Sequence, residues 1–417
     1  MKPGPPLVIN PYIRGVPVPP KLFYGYTKEI RQFYQALMGP VMQPIRVLGL
    51  RRSGKTSFLR YVSSELGRKS NPYLTESGDF TFVYIDLQSI YTPAQFYSHV
   101  ISAIWKRTSY PDAAIPDEIP NARYFVGWIE KLIDVKENLH LVVLLDEFDT
   151  LAAQGEFDPN FFGLLRSMAS SSDFATRFTW VTASLQDLHT LSLNQSEMVN
   201  ISPFWNIFLP TPIILGGFDW DETNNLISSP ALSQNVAFSK EEMLEIYRIA
   251  GGLPFLIQVV AGEWFEAKLR KKTFKEDVRQ TVKKLSDLKQ IQKLLAGYWN
   301  WMTNEQQVFL HNLANGKVAE SFISSQGCSQ LHDFGLINNS SKGVEISGEL
   351  FKQFIVTNKH YIDNHLIEDD QDSETAHPDK AKAMRKTHNT SGKVININID
   401  GNVSESTIIT GDKNEVQ

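Results

Sequence analysis

Apolar residues along this chain gather into runs of two kinds. Between positions 45 and 218 the runs "IRVLGL", "FTFVYIDL", "LHLVVLLD", "RFTWVTAS" and "PTPIILGGF" are nearly continuous in apolar side chains. Strands buried on both faces of a parallel sheet read this way, and the stretches between them carry helical spacing. Strand alternating with helix predicts an α/β domain over residues 27–218. Residues 219–298 turn helical, most clearly in "SKEEMLEIYRIAGGLPFLIQVVAGEWFEAKLRKK". Residues 299–360 read as a small unit of two or three helices followed by a hairpin around "LINNSSKGVEIS".

The ends differ. Residues 1–26 are a proline-rich arm leading into a helix from Thr27, whose hydroxyl is the expected N-cap. Residues 361–392 are polar, mixed in charge and poor in large apolar side chains, the composition of a disordered linker. Residues 393–417 return to β-type alternation, with Ile399, Asp400, Gly401 and Asn402 echoed as Ile409, Thr410, Gly411 and Asp412, a β-rich tail.

Composition narrows the classes. A chain of 417 residues suggests two or three domains, and a net charge of −5 gives no global case for nucleic acid or anionic membrane as partner. The single cysteine, Cys328, excludes an intrachain disulfide and fits a reducing cytoplasm. The N-terminal "MKPGPPLVINPYIRG" lacks the apolar core of a secretory signal, and no run reaches the roughly 20 apolar residues that span a bilayer. A cytoplasmic chain with no membrane anchor is expected.

The candidate chemistry begins at "GLRRSGKT", Gly49 to Thr56, which satisfies G-x-x-x-x-G-K-[ST] between a strand and a helix. Glycines let backbone N–H groups turn inward on phosphates, and the helix N-terminus adds partial positive charge. Gly49, Arg52, Ser53, Gly54, Lys55, Thr56 and Ser57 make up the cradle, with Lys55 reaching the β- and γ-phosphates and Thr56 ligating Mg²⁺. A P-loop needs a carboxylate at the end of a neighbouring strand, and "LHLVVLLDEFD" supplies Asp146 for the metal, with Glu147 placed to polarise an attacking water. The strand "RFTWVTAS" ends in Thr182 and Ser184, which either sense the γ-phosphate or merely cap the strand. Asp86, closing "FVYIDL", reads as a turn carboxylate rather than a second metal ligand.

With these motifs the chain resembles the prokaryotic AAA+/STAND class of P-loop ATPases, signal-transduction switches related to the origin-recognition clade. The likeness runs over residues 9–356, through "NPYIRGVPVPPKLFYGYTKEI", "GLRRSGKTSFL", "LLDEFDTL", "FFGLLRSMA", "VTASLQDL", "SPFWNIF" and "GGLPFLIQ". It implies an AAA+ core, a helical lid and a winged-helix domain, with ATP and Mg²⁺ as ligands. It further implies that Asn10, Pro11 and Tyr12 of the arm and Pro254 of "GGLP" lie against the adenine or ribose.

Two departures bear on mechanism. Relatives usually carry arginine where this chain has Tyr26. Ring-forming relatives also place an arginine finger between the sensing strand and the last strand, yet between Arg177 and Lys240 there is neither lysine nor arginine. Arg166 and Arg177 are the nearby substitutes, or ordinary surface charges. Missing transition-state cations predict slow turnover, which suits a regulatory switch, set by the resemblance in bacterial defence or stress signalling. The tail segment "IITGDKNEV" resembles a short amyloid-forming signalling motif, with Gly411, Asn414 and Val416 in register, and marks residues 393–417 for self-assembly or effector recruitment. A homo-oligomer on activation is expected. The alternative is a DNA-associated ATPase acting through the winged helix and the basic stretch between Lys268 and Lys293, although the recognition segment "SSQGCSQLHD" carries no lysine or arginine.

Overall fold

The computed structural model describes residues 8–70, 79–108, 121–152, 154–185, 207–208, 211–270, 278–317, 320–341 and 343–357. The linker 361–392 and tail 393–417, with its repeat and signalling-type motif, lie outside the described residues. The expected α/β architecture is present as one parallel sheet of five strands: β1 Ile45–Leu48, β2 Asp79–Asp86, β3 Leu139–Asp146, β4 Phe178–Ser184 and β5 Ile213–Ile214. Their spatial order is β2-β3-β4-β1-β5, so the chain steps from β1 out to the far edge at β2, returns through β3 and β4, and leaves β1 between β4 and β5. In an open parallel sheet such a reversal leaves a crevice at the carboxyl ends of the strands.

The near-continuous apolar runs become strands because both faces are covered. All eight residues of β3 except His140 are buried, as is every residue of β4. Helices Pro93–Thr108, Ala122–Val135 and Pro159–Ser170 bury Phe96, Phe125, Trp128, Phe161 and Leu165 against one face in a cluster that includes Trp180. Helices Thr27–Leu37 and Lys55–Val62 bring Phe33 and Phe58 edge to face at 5.9 Å. Edge-to-face rings satisfy the aromatic quadrupole while burying large apolar area.

Register sets what reaches the crevice. Leu48 pairs with Ser184, Leu145 with Thr182 and Asp86 with Asp146. β5 is shorter than the apolar run "PTPIILGGF" suggests, because at Gly216 and Gly217 the chain leaves the sheet to meet a distant segment. A Cβ on Gly335 would stand 2.3 Å from the backbone nitrogen of Gly217, and one on Gly216 would stand 2.0 Å from the carbonyl oxygen of Asp333. Backbones approach this closely only where neither carries a side chain.

Beyond the sheet run helices Trp220–Leu232, Lys240–Ala250, Pro254–Leu269, Val278–Ser286 and Lys289–Trp301. Lys240–Ala250 starts on a capping box in which Ser239 and Glu242 satisfy each other's backbone N–H groups. Next come helices Asn304–Ala314, Glu320–Ile323 and Gln326–Asp333, then the antiparallel hairpin β6 Ile337–Ser340 and β7 Gly343–Ile346, then helix Glu349–Thr357. The expected order of helices before a hairpin is therefore present in the C-terminal part.

One local expectation fails. The hydroxyl of Thr27 does not cap the first helix; the N-cap position is Tyr26, in the left-handed region at φ 57°, with no side-chain cap. The amide of Thr27 instead donates to the Glu222 carboxylate at 3.1 Å, a partner 195 residues away that no local pattern reveals.

Candidate functional site

The carboxyl ends of β1 and β3 open onto a cavity of about 370 Å³, walled by the arm, the turn after β1 and the helix Pro254–Leu269. The turn is shaped by its own sequence. Gly49 lies so close to the hydroxyl of Ser53 that a Cβ there would stand 2.3 Å from it. Gly54 takes φ 103°, a backbone conformation that L side chains rarely adopt. Arg52 is held in the left-handed region at φ 67°. The turn closes with the amide of Ser53 donating to the carbonyl of Leu50 at 3.1 Å, and helix Lys55–Val62 starts immediately after it.

Lys55 is buried, and its ammonium donates to the carbonyl of Gly49 at 2.8 Å and of Leu50 at 3.4 Å. Burial lowers its pKa, while the charges of Glu147, Asp149 and Asp146 oppose that shift. The ammonium thus sits between a turn of backbone and three carboxylates, the environment in which an anion's oxygens gain most from a fixed cation. Ser57 accepts from the amide of Val18 at 3.0 Å, tying the arm to this helix. Thr56 lines the cavity, and the Ser53 hydroxyl is buried without a partner among the described residues.

Asp146 ends β3 fully inside the protein. One carboxylate oxygen accepts from the Tyr84 hydroxyl at 2.8 Å and the other from the amide of Glu147 at 3.1 Å. Glu147 takes φ 55°, rare for a non-glycine residue, and the amide of Thr150 donates to its carbonyl at 3.0 Å. Its carboxyl lines the cavity, and burial pushes its pKa above the usual glutamate range.

Of the Asp146–Glu147 pair only Glu147 lines the cavity, Asp146 being buried at the strand end. Asp149 also lines the cavity; one of its oxygens accepts from the amide of Leu185 at 3.3 Å, and the other is buried with no partner among the described residues. The signal lay in "DEFD", whose second aspartate follows Asp146 by three positions, in the first turn of the helix Phe148–Ala152.

Hard oxygen donors from Thr56, Asp146, Glu147 and Asp149 suit Mg²⁺, which takes one or two protein ligands and fills the rest with water and phosphate oxygens. Among the described residues no group of three or more His, Cys, Asp or Glu side chains forms a metal cage on its own.

Other candidates fall elsewhere. Thr182 sits below the tip of β4, paired with Arg46 and Leu145, its hydroxyl buried without a partner among the described residues and absent from the cavity wall. Leu185, just past the strand, is the residue that reaches the wall. Arg177 lies at the opposite, amino end of β4. Its guanidinium donates to the carbonyl of Ile133 at 2.6 Å and lies 3.9 Å from Asp134, so it closes the end of helix Ala122–Val135 rather than serving this cavity. Arg166 is exposed on helix Pro159–Ser170, away from the cavity wall. Asp86 accepts from the amide of Gln88 at 3.0 Å, the turn role expected of it.

Of the residues that the resemblance puts on the base, Pro254 lines the cavity and Asn10, Pro11 and Tyr12 do not. The Asn10 amide donates to the carbonyl of Gly262 at 3.0 Å and to Glu266 at 3.1 Å, and the Tyr12 hydroxyl donates to the carbonyl of Ile227. These residues moor the arm on the helices; the stretch from Ile13 to Val18 forms the wall. Tyr26 replaces the expected arginine with a buried clamp, its hydroxyl donating to the carbonyls of Ser53 at 2.7 Å and Gly216 at 3.0 Å.

The fold is shared with a Walker-type ATPase of Pyrococcus abyssi, 16% identical, at a TM-score of 0.51, with 80% of this chain and 96% of that one covered. The ORC2 protein of Aeropyrum pernix aligns at a TM-score of 0.49 with 14% identity, over 82% of this chain and 93% of that one. Cdc6p of Pyrobaculum aerophilum aligns at 0.41 with 15% identity, over 81% and 93%. No curated protein matches the chain. Residues 26–357 match the AAA-like domain family, to which this chain belongs.

Proposed function

We propose that the chain binds ATP with Mg²⁺ at this cavity and hydrolyses it slowly, as a regulatory switch. The observation that carries the reading is the buried Lys55 ammonium, held inside a phosphate-type turn and faced by Asp146, Glu147 and Asp149. Backbone N–H groups of the turn and Lys55 would bind the β- and γ-phosphates. Thr56 and Asp146 would hold Mg²⁺, which supplies charge neutralisation between the β- and γ-phosphates. Pro254 and the arm from Ile13 to Val18 would enclose the nucleoside.

In hydrolysis, a water oxygen bonds to the γ-phosphorus while Glu147 takes the water's proton. The bond from that phosphorus to the β–γ bridging oxygen breaks, and ADP keeps the electron pair. Inorganic phosphate leaves, and Glu147 returns its proton to solvent.

The switch reading rests on how many segments close on this one cavity. Arm, core and the helices of 219–298, read as a lid, supply its wall, and the 299–360 unit, read as a winged-helix domain, meets the segment after β5 at Gly216 and Gly217, so a change in the turn has several elements to move. Helix Gln326–Asp333 has no lysine or arginine, which speaks against DNA readout through it. The sequence of residues 393–417 supports a self-assembling or effector-recruiting tail, in a setting of bacterial defence or stress signalling.

Steady-state and single-turnover ATP hydrolysis of the full chain and of Glu147→Gln tests this. Slow wild-type turnover, cut at least about 100-fold in Glu147→Gln with ATP binding kept, is expected. Equal turnover in both chains would remove Glu147 from the reaction.

A further inference from the structure

Four cations line the cavity among the described residues, and three are already engaged. Arg14 is paired with Glu263 at 2.9 Å. Arg52 donates to the carbonyl of Gly15 at 2.9 Å and lies 5.4 Å from the centre of the Phe255 ring. Lys55 is buried on the carbonyls of its own turn. The fourth is Arg51, exposed at the mouth, whose guanidinium has no hydrogen bond or ion pair among the described residues. It lines the same cavity as Lys55, Thr56 and Glu147, the residues at which the γ-phosphate and the attacking water would meet.

The backbone of Arg51 is not left to itself. The hydroxyl of Tyr298, a buried residue of helix Lys289–Trp301, donates to the Arg51 carbonyl at 3.0 Å across 247 residues of sequence. Tyr298 in turn packs edge-on at 6.3 Å against Phe351 of helix Glu349–Thr357. The direction of Arg51 is thereby tied to the C-terminal helices.

We infer that Arg51 supplies, from within the same chain, the cation that stabilises the γ-phosphate as it is transferred, and that Tyr298 is the residue that positions it. The inference rests on the ATP reading above. It fills the gap left between Arg177 and Lys240, where a neighbouring subunit's finger would otherwise be sought. It also gives the C-terminal helices a means of setting the hydrolysis rate without touching the nucleotide, since loss of the Tyr298 contact frees the carbonyl and with it the aim of the side chain. A guanidinium at a transferring phosphoryl group acts mainly on charge that develops in the transition state, so it changes kcat more than binding.

The test uses the full chain and four variants: Arg51→Ala, Arg51→Lys, Tyr298→Phe and Arg51→Ala/Tyr298→Phe, with Lys55→Ala as a mixing partner. Binding of a fluorescent ATP analogue and single-turnover hydrolysis are measured for each. Expected results are analogue binding within about threefold of wild type for Arg51→Ala, with hydrolysis cut at least about 100-fold. Partial recovery is expected in Arg51→Lys, as is a smaller loss in Tyr298→Phe that adds nothing in the double variant. Mixing Arg51→Ala with Lys55→Ala should restore no turnover, because the cation and the lysine must share one chain. Recovery on mixing would mean action on a neighbour and overturn the inference, as would unchanged hydrolysis in Arg51→Ala. Failure of the wild type to bind the analogue would instead defeat the ATP reading itself, so the two failures are separable.

Discussion

The hydroxyl of Tyr26 donates a hydrogen bond to the carbonyl of Ser53 at 2.7 Å, so a residue of the arm's end clamps the phosphate-type turn from behind. The same hydroxyl donates to Gly216 at 3.0 Å, and the ring stands edge-on to Phe218 at 4.8 Å. One phenol therefore joins the turn after β1 to the segment after β5. Burial raises the Tyr26 pKa well above that of a free phenol, keeping it a proton donor throughout the physiological range.

Tyr26→Phe keeps the ring and deletes the donor, leaving two buried carbonyls without it. A loss of about 1–3 kcal/mol in unfolding free energy is expected in urea titrations, together with weaker ATP binding as the turn loosens. An unchanged unfolding midpoint would show that water replaces the phenol at no cost.

Asp146→Asn tests the metal assignment. The amide can still meet the Tyr84 hydroxyl, but it loses the charge that favours a divalent cation. ATP binding by the wild type should tighten when Mg²⁺ is added, and by the variant much less. Equal Mg²⁺ enhancement in both chains would move the metal away from Asp146.

Much of this was legible in sequence because it is local. The apolar runs of β3 and β4 announce strands covered on both faces, and "GLRRSGKT" and "LLDEFD" place the turn and its carboxylates by spacing alone. Apart from Asp149, the misses are long-range. The partner of the Thr27 amide is Glu222, the partner of the Arg51 carbonyl is Tyr298, and Arg177 is taken up by the carbonyl of Ile133. Asn10 and Tyr12 were given to the nucleoside by resemblance, whereas their hydrogen bonds run to Gly262, Glu266 and Ile227. Side chains that choose between two polar neighbours are decided by packing, which one-dimensional spacing does not carry. Asp149 alone had a readable local signal.

The mooring of the arm should depend on pH. Burial works to raise the Glu263 pKa, but hydrogen bonds from Lys284 and Arg14, at 2.9 Å each, outweigh it and hold the group below the ordinary glutamate value of 4.5. A carboxyl with a depressed folded-state pKa contributes stability that is present above its unfolded pKa and lost as pH falls through the folded value. Wild type should therefore be more stable than Glu263→Gln at pH 7, with the difference shrinking below about pH 4.5. Unfolding titrations of both chains across that range decide it, and a difference independent of pH would remove the ion pairs as its cause.

The glycine contacts between the sheet's last turn and the C-terminal part should tolerate no side chain. Gly335 has φ +73°, and a Cβ there would stand 2.3 Å from the backbone nitrogen of Gly217. Gly335→Ala is expected to cost more than about 2 kcal/mol, because strain and a backbone clash combine. A thermal midpoint within a degree of wild type would mean that the two segments separate without penalty.

The central claim is that the turn, Lys55 and the acidic wall form a triphosphate site. Equilibrium titration of ATP with Mg²⁺ into the full chain and into Lys55→Ala tests it most directly. Saturable one-to-one binding by the wild type, weakened at least about 100-fold when the charge-assisted contacts of Lys55 are removed, is the expected result. Absence of binding by the wild type, or equal binding by both chains, would contradict it.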